Sequence, residues 1–472
     1  MGKQKLIQNV TVEGVAGQGK CIAHHEDKVL FVRNSAPGDV VDVRIVRKRK
    51  KFLEGVPVHF HNYSEMRQEP FCQHFDFCGG CKWQHLPYHQ QLTFKRQEVI
   101  DSLQRIAKMD FPEVKPVLAS AKTRYYRNKL EFTFSNNKWA SSEEINGNEE
   151  IDWNGVGFHL SERFDKILDL EVCYLQPEPS NQIRDFVKAF ARQHQISFYD
   201  LKEHRGCLRN LVIRTANTGE VMIIVQFGED QPEVREALLA EVWANFEITS
   251  LYQVVNPKKN DTFNDLDVRL YQGKPYLLET LSLPFGNPPV KLQIGPKSFY
   301  QTNSGQAEVL YSKVLEIARL DGSQRVYDLY SGAGSISCFL ARFAAKVIGI
   351  EYVPEAVEDA CQNALFNELE NTVFYAGDMK DIFTSELVEH EGEPDLIILD
   401  PPRAGVHASV IERLMEIAPP RIIYVSCNPG TQARDIALMA SKYQIEQVQP
   451  VDMFPHTYHI ENIVELKLKS TS

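Results

Sequence analysis

The feature that most constrains this chain is a series of short apolar, β-branched runs in its last third, each ending on a residue that carries chemistry. Arg325-Val-Tyr-Asp-Leu-Tyr330 runs into the glycine turn Ser331-Gly-Ala-Gly334 and then a helical pattern. Ala345-Lys-Val-Ile-Gly-Ile350 ends on Glu351, and Asp395-Leu-Ile-Ile-Leu-Asp400 ends on a carboxylate followed by Pro401-Pro-Arg403. Arg421-Ile-Ile-Tyr-Val-Ser426 ends on Cys427 and the turn Asn428-Pro-Gly430. Such runs, closed by turn residues and separated by helical stretches, predict a doubly wound α/β sheet. Sheets of this kind bind ligands outside the carboxyl ends of their strands, where Tyr330, Glu351, Asp400 and Cys427 would sit. Downstream, Phe454-Pro-His-Thr-Tyr-His-Ile-Glu461 adds a carboxylate just before the last run, Ile463-Val-Glu-Leu-Lys-Leu468. Alone, Cys427 would read as a small core hydrophobe; its place in this series makes it a candidate nucleophile.

At 472 residues the chain exceeds one ordinary core, so two or three domains are expected. No apolar run has the ~18–20 residues of a membrane span, and Met1-Gly-Lys-Gln-Lys5 leads into no signal sequence. A cytoplasmic protein without membrane contact is the expectation. Its nine cysteines then point to thiols, metal ligands or catalysis rather than disulfides. The net charge of −11 argues against a protein that is basic all over. Residues 1–60, however, hold 11 Lys and Arg against 6 Asp and Glu, including Arg47-Lys-Arg-Lys-Lys51. That run is either a local polyanion contact or a solvated loop.

Residues 1–60 alternate apolar and polar in short runs separated by glycine-rich and Pro-Gly turns, which predicts a small antiparallel barrel. The pattern resembles the TRAM module, an RNA-binding barrel of tRNA- and rRNA-modifying enzymes. Beyond it, Cys72, Cys78 and Cys81 lie among Phe71, Phe75, Phe77 and Trp83. The pair Cys78-Gly-Gly-Cys81 gives two thiolates a flexible turn around a metal, and Cys72 adds a third. Cys173, in a loop ahead of Pro177 and Pro179, is the candidate fourth ligand. Four thiolates suit a [4Fe–4S] cluster or zinc; three clustered ligands and one distant one favour the cluster. The spacing predicts a helix over 88–108 and another over 181–192, a strand over 130–134, a polar surface loop over 135–155 and a hairpin over 208–227 turning at Asn217-Thr-Gly219. Arg124-Tyr-Tyr-Arg-Asn-Lys129, basic residues among aromatics, is either an RNA contact or a basic strand end. A helix over 305–319 should be capped by Asn303 or Ser304.

The turn Ser331-Gly-Ala-Gly334-Ser-Ile-Ser337 departs from the dinucleotide fingerprint, because Ser337 stands at its third glycine position. A pyrophosphate needs that close backbone approach. S-adenosylmethionine has no phosphate, and its ribose diol suits an acid at the end of the second strand, where Glu351 stands. Together with a cysteine nucleophile this suggests methyl transfer. Phe299-Tyr-Gln-Thr-Asn303, Asp328-Leu-Tyr-Ser-Gly-Ala-Gly334, Asp400-Pro-Pro-Arg403, Ser426-Cys-Asn-Pro429 and the stretch from Asp452 to Glu461 together resemble the RNA uracil-5-methyltransferases in order and spacing. The resemblance implies that Gln301, Tyr330, Glu351 and Asp400 contact the methyl donor, with Asp378 a weaker candidate. It implies Cys427 as nucleophile and Glu461 as base. The cysteine set resembles the iron–sulfur branch of the family, whose members modify rRNA, which favours 23S rRNA over tRNA as substrate. Ser335 stands where relatives often carry Asn. His456 and His459 read as structural.

The expected architecture is therefore a monomer of three domains. They are an OB-like TRAM barrel (1–60), a central α+β domain with a cysteine-bound cluster (61–290), and a C-terminal Rossmann-like class I methyltransferase domain (291–472). Uracil C5 is too weak a nucleophile to take a methyl group unaided, and thiolate addition at C6 activates it. An amino-methyltransferase would follow Asp400-Pro-Pro with an aromatic rather than Arg403 and has no use for Cys427. Radical chemistry needs a tighter three-cysteine spacing. A non-catalytic RNA-binding protein has no need of both Cys427 and Glu461.

Overall fold

A computed structural model of the chain describes residues 5–147, 150–161 and 163–470, so the opening Met1-Gly-Lys-Gln4 lies outside the described residues. The first sheet has six strands, in the order Leu6–Thr11, Val40–Lys48, Phe52–Asn62, Lys28–Val32, Cys21–His25 and Gly14–Val15. It closes on itself, because the chain after Thr11 continues along Cys21–His25, with Glu13 N–H donating to Ile22 O at 2.7 Å. Its interior is filled by Val10, Ala23, Leu30, Val32, Val41 and Val43. One pair departs from the expected antiparallel pattern: Lys28–Val32 and Phe52–Asn62 run parallel. Phe52–Asn62 returns from Val40–Lys48 as a hairpin, so it must run in the sense of the strand beyond it. The basic run Arg47 to Lys51 occupies that hairpin's tip and is exposed.

The second sheet has seven strands, ordered Arg269–Gly273, Ser250–Val255, Val221–Phe227, Leu208–Thr215, Lys129–Ser135, Gly155–Leu160 and Arg163–Asp169. Ser180–Gln193 presents Ile183, Val187 and Ala191, one turn apart, to this sheet, and Pro232–Asn245 presents Leu238, Leu239 and Val242. The polar stretch 135–155 is not entirely loop. It contains a short helix, Ser142–Asn146, held by a capping box between Ser141 and Glu144.

The third sheet carries the five strands expected from the apolar runs and two more at its edges, in the order Thr372–Ala376, Lys346–Glu351, Arg325–Leu329, Leu396–Leu399, Arg421–Ser426, Glu461–Leu468 and Tyr443–Val451. The first five are parallel and the last two antiparallel. Successive side chains face opposite layers. Val326, Val347, Ile398 and Val425 pack under the helix Ser304–Ala318 and its neighbours, while Leu329, Ile350, Leu399 and Tyr424 pack under Ala408–Ile417 and Pro429–Met439. The helix Tyr88–Ser102, continued by a π-helical turn over Leu103–Ala107, joins that second layer through Val99 and Leu103. An element from the middle of the sequence thus completes the core of the last sheet. No helix among the described residues is long and apolar enough to cross a membrane.

Candidate active site and cysteine cavity

Each strand delivers its terminal residue to one edge, for local reasons. After Arg325–Leu329 the chain turns through Tyr330, whose φ of +71° is uncommon for a non-glycine residue. Its N–H and that of Ser331 both donate to Ile350 O, at 2.9 and 3.1 Å. Gly334, at φ +75°, admits no side chain, since a Cβ there would meet Ala360 Cβ at 2.9 Å. Glu351 at the next strand end accepts from Gly332 N–H and Val353 N–H, each at 3.0 Å, which fixes its carboxylate against the glycine turn. After Arg421–Ser426, Asn428 caps the helix Pro429–Met439 by accepting from Gly430 N–H at 3.1 Å, with Pro429 in its first turn. Cys427 is held between strand and cap, partly exposed. Arg403 O accepts from Asn428 Nδ2 and Thr431 Oγ1, both at 3.2 Å, tying the Asp400-Pro-Pro-Arg403 turn to the cysteine turn.

The antiparallel register pairs Ser426 with Asn462, so the next step along both strands sets Cys427 beside Glu461. Glu461 is buried as the first residue of its strand, not ahead of it. Burial pushes its carboxyl well above the usual range, Asp400 adds to the rise, and Arg403 opposes it. Burial likewise lifts Asp400 to about 7, with Asp328 contributing. Asp328 is fully buried and also raised to about 7 by burial, although Ser337 Oγ donates to its Oδ2 at 2.5 Å. Its Oδ1 has no hydrogen-bond partner among the described residues. The Cys427 thiol is pushed up to about 11 by burial, then by Glu461 and Asp400, and is drawn down by Arg403. Asp400 thus interacts with both Asp328 and Glu461, and a cation bound near them would favour their ionised forms.

Gln301 is buried in the segment ahead of the helix Ser304–Ala318, its carbonyl accepting from Asn128 Nδ2 at 2.9 Å. Of the two cap candidates, Asn303 is the one used, accepting from Gln306 N–H at 3.2 Å. Ser335 makes a 3.1 Å hydrogen bond with Tyr311 OH. Asp378 is bound to its own helix start, through Lys380 N–H at 3.2 Å and an ion pair with Lys380 Nζ at 3.3 Å.

The four cysteines named from the sequence line one cavity with Phe71, Phe75, Phe158 and Leu170. Cys173 is set there by Asn181, which accepts from Cys173 N–H at 2.8 Å and donates to its carbonyl at 3.2 Å. Burial pushes the Cys81 thiol up to about 12 and that of Cys173 to about 11. Among the described residues no group of three or more His, Cys, Asp or Glu is arranged to hold a metal ion. Cys72, Cys78, Cys81 and Cys173 are the residues that would hold a metal group in this cavity.

Sequence reasoning missed a buried network behind the site. Lys95 Nζ donates to Asp452 Oδ1 at 2.6 Å and to Phe454 O at 3.0 Å, and Tyr88 OH donates to Asp452 Oδ2 at 2.8 Å. Gln91 Oε1 accepts from His456 N–H at 2.9 Å. His456 O in turn accepts from Lys82 N–H at 2.8 Å and Trp83 N–H at 3.0 Å, the residues that follow Cys81. His456, whose imidazole burial holds down to about 4, thus fastens the loop ahead of Glu461 to the cysteine segment. Asp452 belonged to a visible motif, but Lys95 lies 357 residues away and carried no signal.

A parallel sheet with a glycine turn after one strand and an acid, Glu351, at the end of the next is the arrangement of the class of S-adenosylmethionine-dependent methyltransferases. Residues 268–469 match the tRNA (uracil-5-)-methyltransferase family model and residues 6–58 the TRAM domain. A Bacteroides thetaiotaomicron protein described as an uncharacterized RNA methyltransferase is 51% identical over 96% of this chain and 100% of its own. One from Chlorobaculum tepidum is 37% identical over 97% and 95%. The crystal structure of Pyrococcus abyssi tRNA (uracil-54, C5)-methyltransferase, a complex with S-adenosyl-L-homocysteine, superposes with a TM-score of 0.75. It is 29% identical and covers 97% of this chain and 100% of that one. The chain belongs to the RNA (uracil-5-)-methyltransferase family.

Proposed function

We propose that this enzyme methylates C5 of an RNA uridine through a covalent adduct on Cys427, with Glu461 as the base. The observation that carries this reading is the strand register that sets Cys427 beside a buried Glu461. The Cys427 thiolate adds to C6 of the uracil, and the ring becomes an enolate with charge on C5. S-adenosylmethionine, held by Gln301, Tyr330, Glu351 and Asp400, supplies the methyl group. Glu461 then takes the C5 proton, and elimination restores the C5–C6 double bond and releases Cys427. A carboxyl with a raised pKa is a strong base once ionised, and a cation bound among Asp328, Asp400 and Glu461 favours that ionisation. The target base must leave its stack to reach the strand edge.

The cysteine cavity supports a structural [4Fe–4S] cluster, and through it 23S rRNA as the substrate. A second reading, a tRNA uridine, draws on the tRNA-modifying Pyrococcus abyssi protein, which is similar along nearly the whole chain. A trap tests both. Fluorine at C5 of 5-fluorouridine cannot leave as a proton, so RNA transcribed with it should stall on the enzyme. A denaturation-resistant complex mapped to Cys427 establishes the mechanism, and sequencing the attached RNA names the substrate. No complex with either RNA, with donor binding intact, refutes the adduct.

A further inference from the structure

A second cleft, of about 650 Å3, opens between the cysteine segment, the second sheet and the segment that carries Gln301. Lys82, Arg127, Lys129, His159, Thr302 and Phe158 line it. In a chain of net charge −11 its cations are conspicuous, and among the described residues none of the three makes a carboxylate ion pair. Lys129 Nζ has no hydrogen bond or carboxylate ion pair among the described residues, and its cross-strand neighbour is Arg214, itself buried. Burial, then Arg214, hold the Lys129 ammonium below its usual range, with Arg127 adding and Glu131 opposing. The Arg127 guanidinium has no carboxylate partner among the described residues and spends its Nε on Lys129 O at 3.3 Å. Among the described residues Lys82 Nζ donates to Ser161 Oγ, at 3.0 Å. The acid in the lining, Glu131, is raised by burial and accepts from Asn210 Nδ2 at 3.0 Å. Thr302 Oγ1 and His159 Nδ1 have no hydrogen-bond partner among the described residues. Lys82, Arg127 and Lys129 thus face one carboxyl, Glu131, in the cleft, and partly desolvated cations in excess of their anions favour the arrival of another anion.

The cleft is tied to the chemistry on one side. Asn128 N–H donates to Thr302 O at 2.8 Å, beside Gln301. The Arg127 guanidinium carbon lies 5.8 Å from the Phe454 ring centre, in the loop that leads to Glu461. We propose that this cleft holds a nucleotide of single-stranded RNA that flanks the target uridine, its phosphate on Arg127 and Lys129 and its base against Phe158. The volume suits a small ligand of nucleotide size. Single-stranded RNA presents phosphate charge and an unstacked base together, which a groove with cations and an aromatic wall receives. The inference rests on the RNA methyltransferase reading and adds to it a subsite that would fix which strand segment enters.

The test compares the full-length protein with Arg127→Ala/Lys129→Ala and with Lys129→Gln, none of which touches the reacting atoms. Fluorescein-labelled oligouridylate binding is read by anisotropy across a salt series, and methylation of cellular RNA gives kcat and KM. Thermal unfolding and S-adenosylmethionine calorimetry verify the fold. Loss of two phosphate contacts should weaken binding about tenfold or more and flatten the log–log salt slope by about 1.4. Lys129→Gln should lose about half of that slope change, and KM for RNA should rise while kcat stays within about twofold. Folded variants with the wild-type slope and KM overturn the subsite; if the double variant misfolds, Lys129→Gln decides. A wild-type protein that neither binds nor methylates RNA overturns the enzyme reading instead.

Discussion

Replacing Lys95 by Met should loosen the catalytic loop from a position outside the reacting groups. Both side chains of the Lys95–Asp452 pair are fully buried, with 2.6 Å between charged atoms. Removing one partner of such a pair costs roughly 3–5 kcal/mol, because the other charge stays buried. Asp452 keeps Tyr88 OH at 2.8 Å and Phe454 N–H at 3.1 Å, so the lower end of the range applies. A cost of about 3 kcal/mol is about a hundredfold in a local opening equilibrium. Hydrogen exchange with mass spectrometry on peptides spanning 452–461 reads this directly, since the loop opens without the whole chain unfolding. Exchange of those amides should rise about a hundredfold in Lys95→Met, and kcat should fall with it as Glu461 loses its fixed position. Lys95→Met/Asp452→Asn removes the stranded charge, keeps an acceptor oxygen for Phe454 N–H and offers an amide N–H to Tyr88 OH, so most of the protection should return. Wild-type exchange in the single variant, or an equally open double variant, would refute the reasoning.

Other consequences follow from the same geometry. Arg403 is the cation that opposes the rise of the Cys427 thiol, which burial, Glu461 and Asp400 push up to about 11. Since the thiolate is the reactive form, kcat/KM should rise with pH. Arg403→Gln should move that rise upward by about one pH unit, costing about tenfold near neutrality and less at alkaline pH; a parallel loss at every pH argues against this role. Asp328 and Asp400 are each raised to about 7, so the unfolded chain releases those protons first, and stability falls as pH climbs through about 4 to 7. The melting-temperature gain from S-adenosylmethionine over neutral S-adenosylhomocysteine should therefore widen from about pH 5 to about pH 8, and an unchanged difference counts against the acid pocket. Anaerobically purified Cys78→Ser protein should lose bound iron and show faster exchange at Lys82 and Trp83, whose N–H groups hold His456 O. Full activity and unchanged exchange in iron-free protein would dismiss the cluster as a clip.

Four of the five parallel strands of the catalytic sheet were legible as apolar runs closed by a turn, because a strand buried on both faces needs continuous hydrophobic residues; the partly buried edge strand Thr372–Ala376 was not. The Asn303 cap, the helix Ser180–Gln193 and the hairpin at Asn217-Thr-Gly219 were legible for a similar reason, since their signals lie within a few neighbouring residues. The sequence also marked Cys427, Glu461 and the four cysteines, as residue types that a buried strand end or an aromatic loop does not need for packing. Tertiary structure alone decided what those residues meet. Cys427 and Glu461 become neighbours through the antiparallel pairing of Ser426 with Asn462, which no local pattern encodes. The parallel pair inside the barrel, the docking of Tyr88–Ser102 on the last sheet, and the reach of Lys95 to Asp452 were likewise settled by long-range contact. Periodicity tells a residue which face it occupies, but the identity of the facing residue depends on how distant segments exclude water together.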